Sequence, residues 1–163
     1  MKAFFAVLTM SLIVPHRAAA AAAAPAGADR VAVLQIVQEF FDALHAKDGG
    51  RLRAICQPGA QFTSGRPAPA GYALRQRPVE TDAAHFAESN DAYLERMWSP
   101  TVQINGRIAV VWTHYDFHLN GKFSHNGTDC FTLLKTDQGW KMVCAAYSVE
   151  PGTKTENPAG EPR

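Results

Sequence analysis

Two imidazoles and two carboxylates alternate along the last third of the chain, in the order His114, Asp116, His125, Asp129. A carboxylate beside an imidazole orients the ring and stabilises its cation, and burial can bring the pair toward a neutral pKa, as general acid–base catalysis requires. His114 as base with Asp129 as its orienting group is the candidate catalytic dyad. The other reading is a polar pair at a pocket rim that only completes hydrogen bonds. Asp116 and His125 read as a cross-strand ion pair or as a second pair of the same kind. His114, Asp116 and His118, with His125 and Asp129 nearby, also offer metal-ligand atoms. Side chains two residues apart on a strand diverge, however, whereas a metal needs ligands converging at about 2 Å. No metal site and no cofactor is assigned.

Around these groups lie aromatic residues able to stack a planar ligand: Phe86, Tyr93, Trp98 and Trp112. The same residues would serve equally as plain core. Phe131, with the polar Asp116, His125 and Ser148, completes the set of candidate ligand contacts.

The elements that must position these residues are strands. From Thr101 to Val149 the apolar pattern has a period of two. Asn120-Gly121 is the strongest hairpin signal, because a type I′ turn needs positive φ at both positions. Placed there, the turn pairs Leu119 with Lys122, Asp116 with His125, Trp112 with Asp129 and Val110 with Phe131. A second turn near Asp137-Gln138-Gly139 pairs Phe131 with Cys144 and Leu133 with Met142. One face then carries Ile108, Val110, Trp112, Phe131, Leu133, Trp140, Met142 and Cys144, and is expected to lie under helices. The same face holds His114, Asp116, His125, Asp129 and Ser148. The other face, with Val111, Tyr115, Phe117, Cys130, Val143 and Tyr147, is apolar enough to call for a partner subunit. On this register Cys130 and Cys144 sit on opposite faces. A single β-bulge would swap the faces beyond it.

Helices precede the strands. Asp29 can cap one whose stripe is Val33, Leu34, Val37, Phe40, Phe41 and Leu44, ended by Gly49-Gly50. A short second helix carries Leu52, Ile55 and Cys56 and stops before Pro58, followed by a short strand at Gln61-Phe62-Thr63. Residues 65–80, with their prolines and glycines, read as a loop. Thr81 is expected to cap a third helix running through Phe86, Tyr93, Leu94 and Met97. Helices first and antiparallel strands second define an α+β domain with helices on one face of the sheet.

The 163 residues suffice for one domain, and an apolar share of 47% with 19% charged is ordinary for a globular chain. Lys2, the apolar run from Ala3 to Val14, and the small residues from Ala18 to Ala28 form a secretory signal with an Ala/Pro-rich linker. That run is too short to span a bilayer, which needs roughly 20 residues. The expected organisation is therefore signal and linker at 1–28, a domain at 29–150 and a disordered polar tail at 151–163, in a periplasmic or secreted protein. Without Lys2 and Arg17 the 16 basic residues fall to 14 against 15 acidic ones, a net charge near −1. Nothing in that balance suits a nucleic-acid partner. Three cysteines leave at least one thiol free, and no C-x-x-C spacing occurs.

The segments Tyr93–Pro100, Ile108–Trp112, Tyr115-Asp116-Phe117, Ser124–Asp129 and Gly139–Met142, in that order, resemble the exported bacterial members of the nuclear transport factor 2-like (NTF2-like) superfamily, in its SnoaL-like and lumazine-binding group. Where those relatives often carry a cysteine, this chain has Asn126. The resemblance implies a cone-shaped, curved, mostly antiparallel sheet wrapped around about three N-terminal helices, a cystatin-like roll with an internal pocket and a dimer formed through the outer sheet face. It leaves three functions open. The chain could bind a small planar or apolar molecule. It could be a lyase or isomerase using His114 and Asp129. It could be a dimeric interaction module without chemistry.

Overall fold

A computed structural model describes residues 26–162; the expected signal segment, apart from Ala26–Ala28, lies outside the described residues. Helix α1 (Ala26–Ala46) buries the expected stripe, with Val33 and Val37 at 0% exposure and Phe41 at 3%. It begins three residues before Asp29, whose carboxylate does not cap the helix. It accepts hydrogen bonds from Lys135 Nζ (2.6 Å) and Trp140 Nε1 (3.0 Å), which hold it below the usual carboxylate range. Gly49 and Gly50 do not end α1 but open α2 (Gly49–Ile55), capped by Asp48 accepting from the Gly50 and Arg51 amides. Gly49 is required there, because a Cβ would collide with the Ala83 carbonyl of α3 (Val79–Glu88).

Residues 65–80 form no loop. They lie mostly in a hairpin of β1 (Cys56–Ala68) and β2 (Gly71–Pro78), turned at Gly71, where φ is +117°. The third helix is also shorter than its apolar spacing suggested. Ser89–Ala92 breaks it, and Tyr93, Leu94 and Met97 belong to β3 (Tyr93–Asn105), where tertiary pairing overrides a helical pattern. Strands β4 (Ile108–Leu119), β5 (Lys122–Thr136), β6 (Gly139–Ser148) and the short β7 (Glu150–Pro151) complete a sheet in the order β2-β1-β6-β5-β4-β3. Only β1 and β6 run parallel among these neighbours, and β7 adds to β5 beyond the end of β6. The three helices pack on the concave face.

The Asn120-Gly121 turn has positive φ at both residues (53° and 74°) and pairs Leu119 with Lys122 as expected. Beyond His118↔Phe123 an extra residue, Ser124, bulges from β5, so that Phe117 pairs with His125 and Trp112 with Cys130. That single residue reverses the facing of β4 relative to β5. Ala109, Val111, Tyr115 and Phe117 point to the core, while Ile108, Trp112, His114 and Asp116 point outward. Trp112 is 53% exposed and Phe131 0%, so the expected pairing of the two on one face does not occur. A second bulge, at Val143, pairs Phe131 with Ala145 and turns Cys144 outward. Cys130 and Cys144 thus share the outer face, both free. The core is an aromatic cluster in which Phe40 meets Phe62 and Phe131 edge-on at 5.7 and 5.2 Å.

The polar tail, expected to be disordered, crosses the outer face of β5, β4 and β3. Asn126 bonds Lys154 and Glu156 of the tail, Thr155 bonds Asp116, and Gly160 O accepts from Arg96. Its composition is polar because it replaces solvent over a polar cluster: Asp116 and His118, both 0% exposed, with Arg96 as the bidentate partner of Asp116.

Two substitutions test this register. Phe131→Ala should cost about 3–5 kcal/mol by denaturant unfolding, since it opens a cavity in close-packed core. Trp112→Ala should cost about 0.5 kcal/mol. Equal losses would restore the unbulged pairing.

Candidate functional site

Between the helices and the concave sheet lies a cavity of about 410 Å³. Period-two alternation aims Phe62, Tyr93, Tyr115, Phe117 and Phe131 into it from four strands, and α1 contributes Phe40 and Leu44. Tyr115 crosses over Gly127, where any side chain would strike its ring and the Ser148 carbonyl. The Tyr115 hydroxyl donates to that carbonyl at 2.7 Å.

Two carboxyl groups stand among these aromatic walls. Asp129 projects from β5, 3% exposed, with its Oδ2 lacking any hydrogen-bond partner among the described residues. Glu95 on β3 lies within hydrogen-bonding reach of Asp129. No arginine or lysine among the described residues pairs with either group. Burial raises both pKa values well above the carboxylate range, and the charge of Asp129 raises Glu95 further. Proximity couples the two groups, so that protonation of one affects the other. Their charges and burial also push the Tyr115 phenol upward, burial being the larger cause.

His125 lies at the cavity wall, stacked on Phe117 (5.1 Å between centroids) and edge-on to Tyr115 (5.7 Å). Burial, then the charge of Arg66, lowers its pKa to about 4, so the ring is neutral at physiological pH. Its Nδ1 faces Ser124 Oγ at 3.0 Å. Arg77, at the mouth, is bonded to Asp82 and donates to the Tyr147 hydroxyl at 2.8 Å. The described residues bring no three His, Cys, Asp or Glu side chains together as metal ligands, and no described helix is long and apolar enough to cross a membrane.

An α+β cone with a carboxyl pair inside invites comparison with known proteins. The model of the family described as "Putative lumazine-binding" matches residues 28–148. The chain belongs to that family. Its fold is that of the NTF2-like superfamily. An NTF2-like protein from Cytophaga hutchinsonii superposes with a TM-score of 0.62 at 15% identity, over 74% of this chain and 97% of its own. A superfamily protein from Salmonella enterica does so at 0.62 and 14%, over 82% and 99%. A Streptomyces avermitilis protein described as a "putative dehydratase from the NTF2-like family" scores 0.62 at 15%, over 78% and 98%. At such identity these likenesses establish the fold alone. No curated protein matches the sequence.

Within this lumazine-binding-like domain the expected site residues divide into two groups. Asp129, His125, Phe86, Tyr93 and Phe131 line the cavity. His114, Trp98, Trp112, Asp116 and Ser148 do not. The Ser124 bulge sends His114 outward, where it stacks on Trp98 at 5.6 Å, and leaves Thr113 beside Asp129. The His114–Asp129 dyad is therefore absent. Nor do Asp116 and His125 pair, since Asp116 bonds Arg96 on the outer face. Ser148 Oγ accepts from the Thr128 amide. Sequence reasoning missed Glu95 because its segment looked helical. Read with a period of two, Tyr93-x-Glu95-x-Met97 would have set a lone carboxylate on an apolar face.

Linkage gives the pair and His125 opposite pH signatures. The carboxyls bind protons more tightly folded than unfolded, so their contribution to stability falls as pH rises above about 4 toward the raised folded values. Asp129→Asn should raise stability at pH 7 by about 1–2 kcal/mol and flatten that slope. His125 binds its proton more weakly when folded, so stability falls as pH drops from 6.5 to about 4. His125→Phe should abolish this acid-side loss, seen as a smaller Tm difference between pH 7 and pH 4.5 in thermal scans.

Proposed function

We propose that the cavity binds a small molecule with a flat apolar body and that Glu95 and Asp129 move a proton on it, the chemistry of a lyase or isomerase. The supporting observation is the carboxyl pair itself. A buried Asp129 and a half-buried Glu95, set among aromatic side chains with no cation partner among the described residues, work against the fold, and acids in such surroundings are suited to accept and return a proton near neutral pH. Asp129, as the carboxylate, removes a proton from a carbon made acidic by a neighbouring carbonyl. Glu95, as the acid, donates a hydrogen bond or its proton to the oxygen that gains charge. Returning the proton to another carbon completes an isomerisation. Delivering it to a departing hydroxyl completes a dehydration, with water as product.

Native mass spectrometry of the protein as purified should reveal the bound small molecule. In D2O the wild type should exchange one carbon-bound hydrogen of that molecule. Asp129→Asn should retain binding but exchange at least about 100-fold more slowly. A retained ligand that exchanges equally fast in both proteins would leave binding without proton transfer.

The outer face supports a second element of the reading, a homodimer. Ile108 and Leu134 pair across β4 and β5 at 47% and 42% exposure, and Trp112, farther along the same face of β4, adds exposed aromatic surface. Trp112→Glu should convert a dimeric species to monomer in light scattering after gel filtration. We also infer export, on the Lys2–Val14 pattern.

A further inference from the structure

The β1–β2 hairpin that overhangs the cavity concentrates positive charge on its concave side. Register places Arg77 opposite Phe62 and Arg75 opposite Ser64, with Arg66 two residues beyond Ser64 on the same side. The other side of β2 carries Tyr72, Leu74 and Gln76, and Leu74 is 75% exposed. Charge on an edge strand guards against unwanted strand pairing, but that need has no preferred face. Arg77 is committed to Asp82 and Tyr147. Arg66 and Arg75 have no carboxylate partner among the described residues.

These arginines border a groove of about 450 Å³ between the hairpin and α3, which also touches Asp82, His85 and Glu88. Arg66, Arg77, Asp82 and His85 line both the groove and the cavity, so the groove is the cavity's antechamber. Asp82 is neutralised by Arg77, which leaves two guanidinium groups against Glu88. The charge of Arg66 is felt at His125 and Tyr115, inside the cavity.

We propose that Arg66 and Arg75 form an anion clamp at the cavity mouth, and that the ligand is an organic acid whose apolar body lies among Phe40, Phe62 and Phe117. This inference rests on the cavity being the binding site and deepens it by naming the ligand's charge. The interior offers aromatic walls and two carboxyl groups but no free guanidinium among the described residues, so the acidic head stays at the arginines and the apolar body points inward. Guanidinium groups suit this role because their paired N–H donors match a carboxylate or sulfonate.

Two fluorescent probes with the same hydrocarbon body separate the terms: anilinonaphthalene sulfonate and its uncharged parent, phenylnaphthylamine. The wild type should bind the sulfonate at least about 10-fold more tightly. In Arg66→Gln/Arg75→Gln, both exposed positions, that advantage should vanish while phenylnaphthylamine binds as before. Equal affinity of the two probes for the wild type would overturn the clamp and leave the cavity reading intact. A sulfonate preference that survives the double substitution would place the anion elsewhere and overturn it too. Failure of both probes to bind would sink the cavity reading itself.

Discussion

Everything at the centre of this molecule depends on one extra residue in β5. The Asn120-Gly121 turn locks Leu119 against Lys122, and uninterrupted pairing would then aim Trp112, His114 and Asp116 at the helices. Ser124 breaks that register. The bulge persists because the alternative is costly in charge. Without it Asp116 would face the apolar cavity and lose the cover of Thr155. With the bulge in place Asp116 meets its guanidinium partner on the outer face, and Val111, Tyr115 and Phe117 fill the space under α1. The bulge decides both the core and the chemistry of the site.

That outer cluster explains the tail. A buried aspartate with a buried histidine 3.9 Å away needs hydrogen-bonding cover, and the segment after β7 supplies it from Thr155 and from Glu161, whose carboxylate lies 3.1 Å from His118 Nε2. This segment seals polar groups that the strands alone would leave to solvent. The apolar stripe of Ile108, Trp112 and Leu134 remains outside this cover.

The cavity combines elements that stability alone would separate. Edge-to-face phenylalanines contribute close packing, and the carboxyl pair works against it, since no cation among the described residues offsets its burial. A neutral His125 adds a second ionisable group whose proton affinity is shifted in the opposite direction. Folding is thus pressed from both ends of the pH scale by residues in one cavity, as expected where function rather than fold stability selects the side chains.

The sequence by itself determined the local elements whose causes are local. The stripe of α1, the short α2 and the type I′ turn at Asn120-Gly121 follow from periodicity, capping and permitted φ, which a few neighbouring residues specify. Asp129, His125, Tyr93, Phe86 and Phe131, which line the cavity, were singled out from the sequence because polar or aromatic side chains stood out against the strand or helix pattern. Tertiary structure alone decided the rest. Whether Tyr93–Met97 is helix or strand depends on pairing with β4, and a one-residue bulge moves His114 from the candidate site to solvent without altering the local pattern. Glu95 became Asp129's partner only when two strands separated by more than thirty residues were brought to the same concave face, because side-chain facing is a property of the whole sheet's register rather than of any one strand.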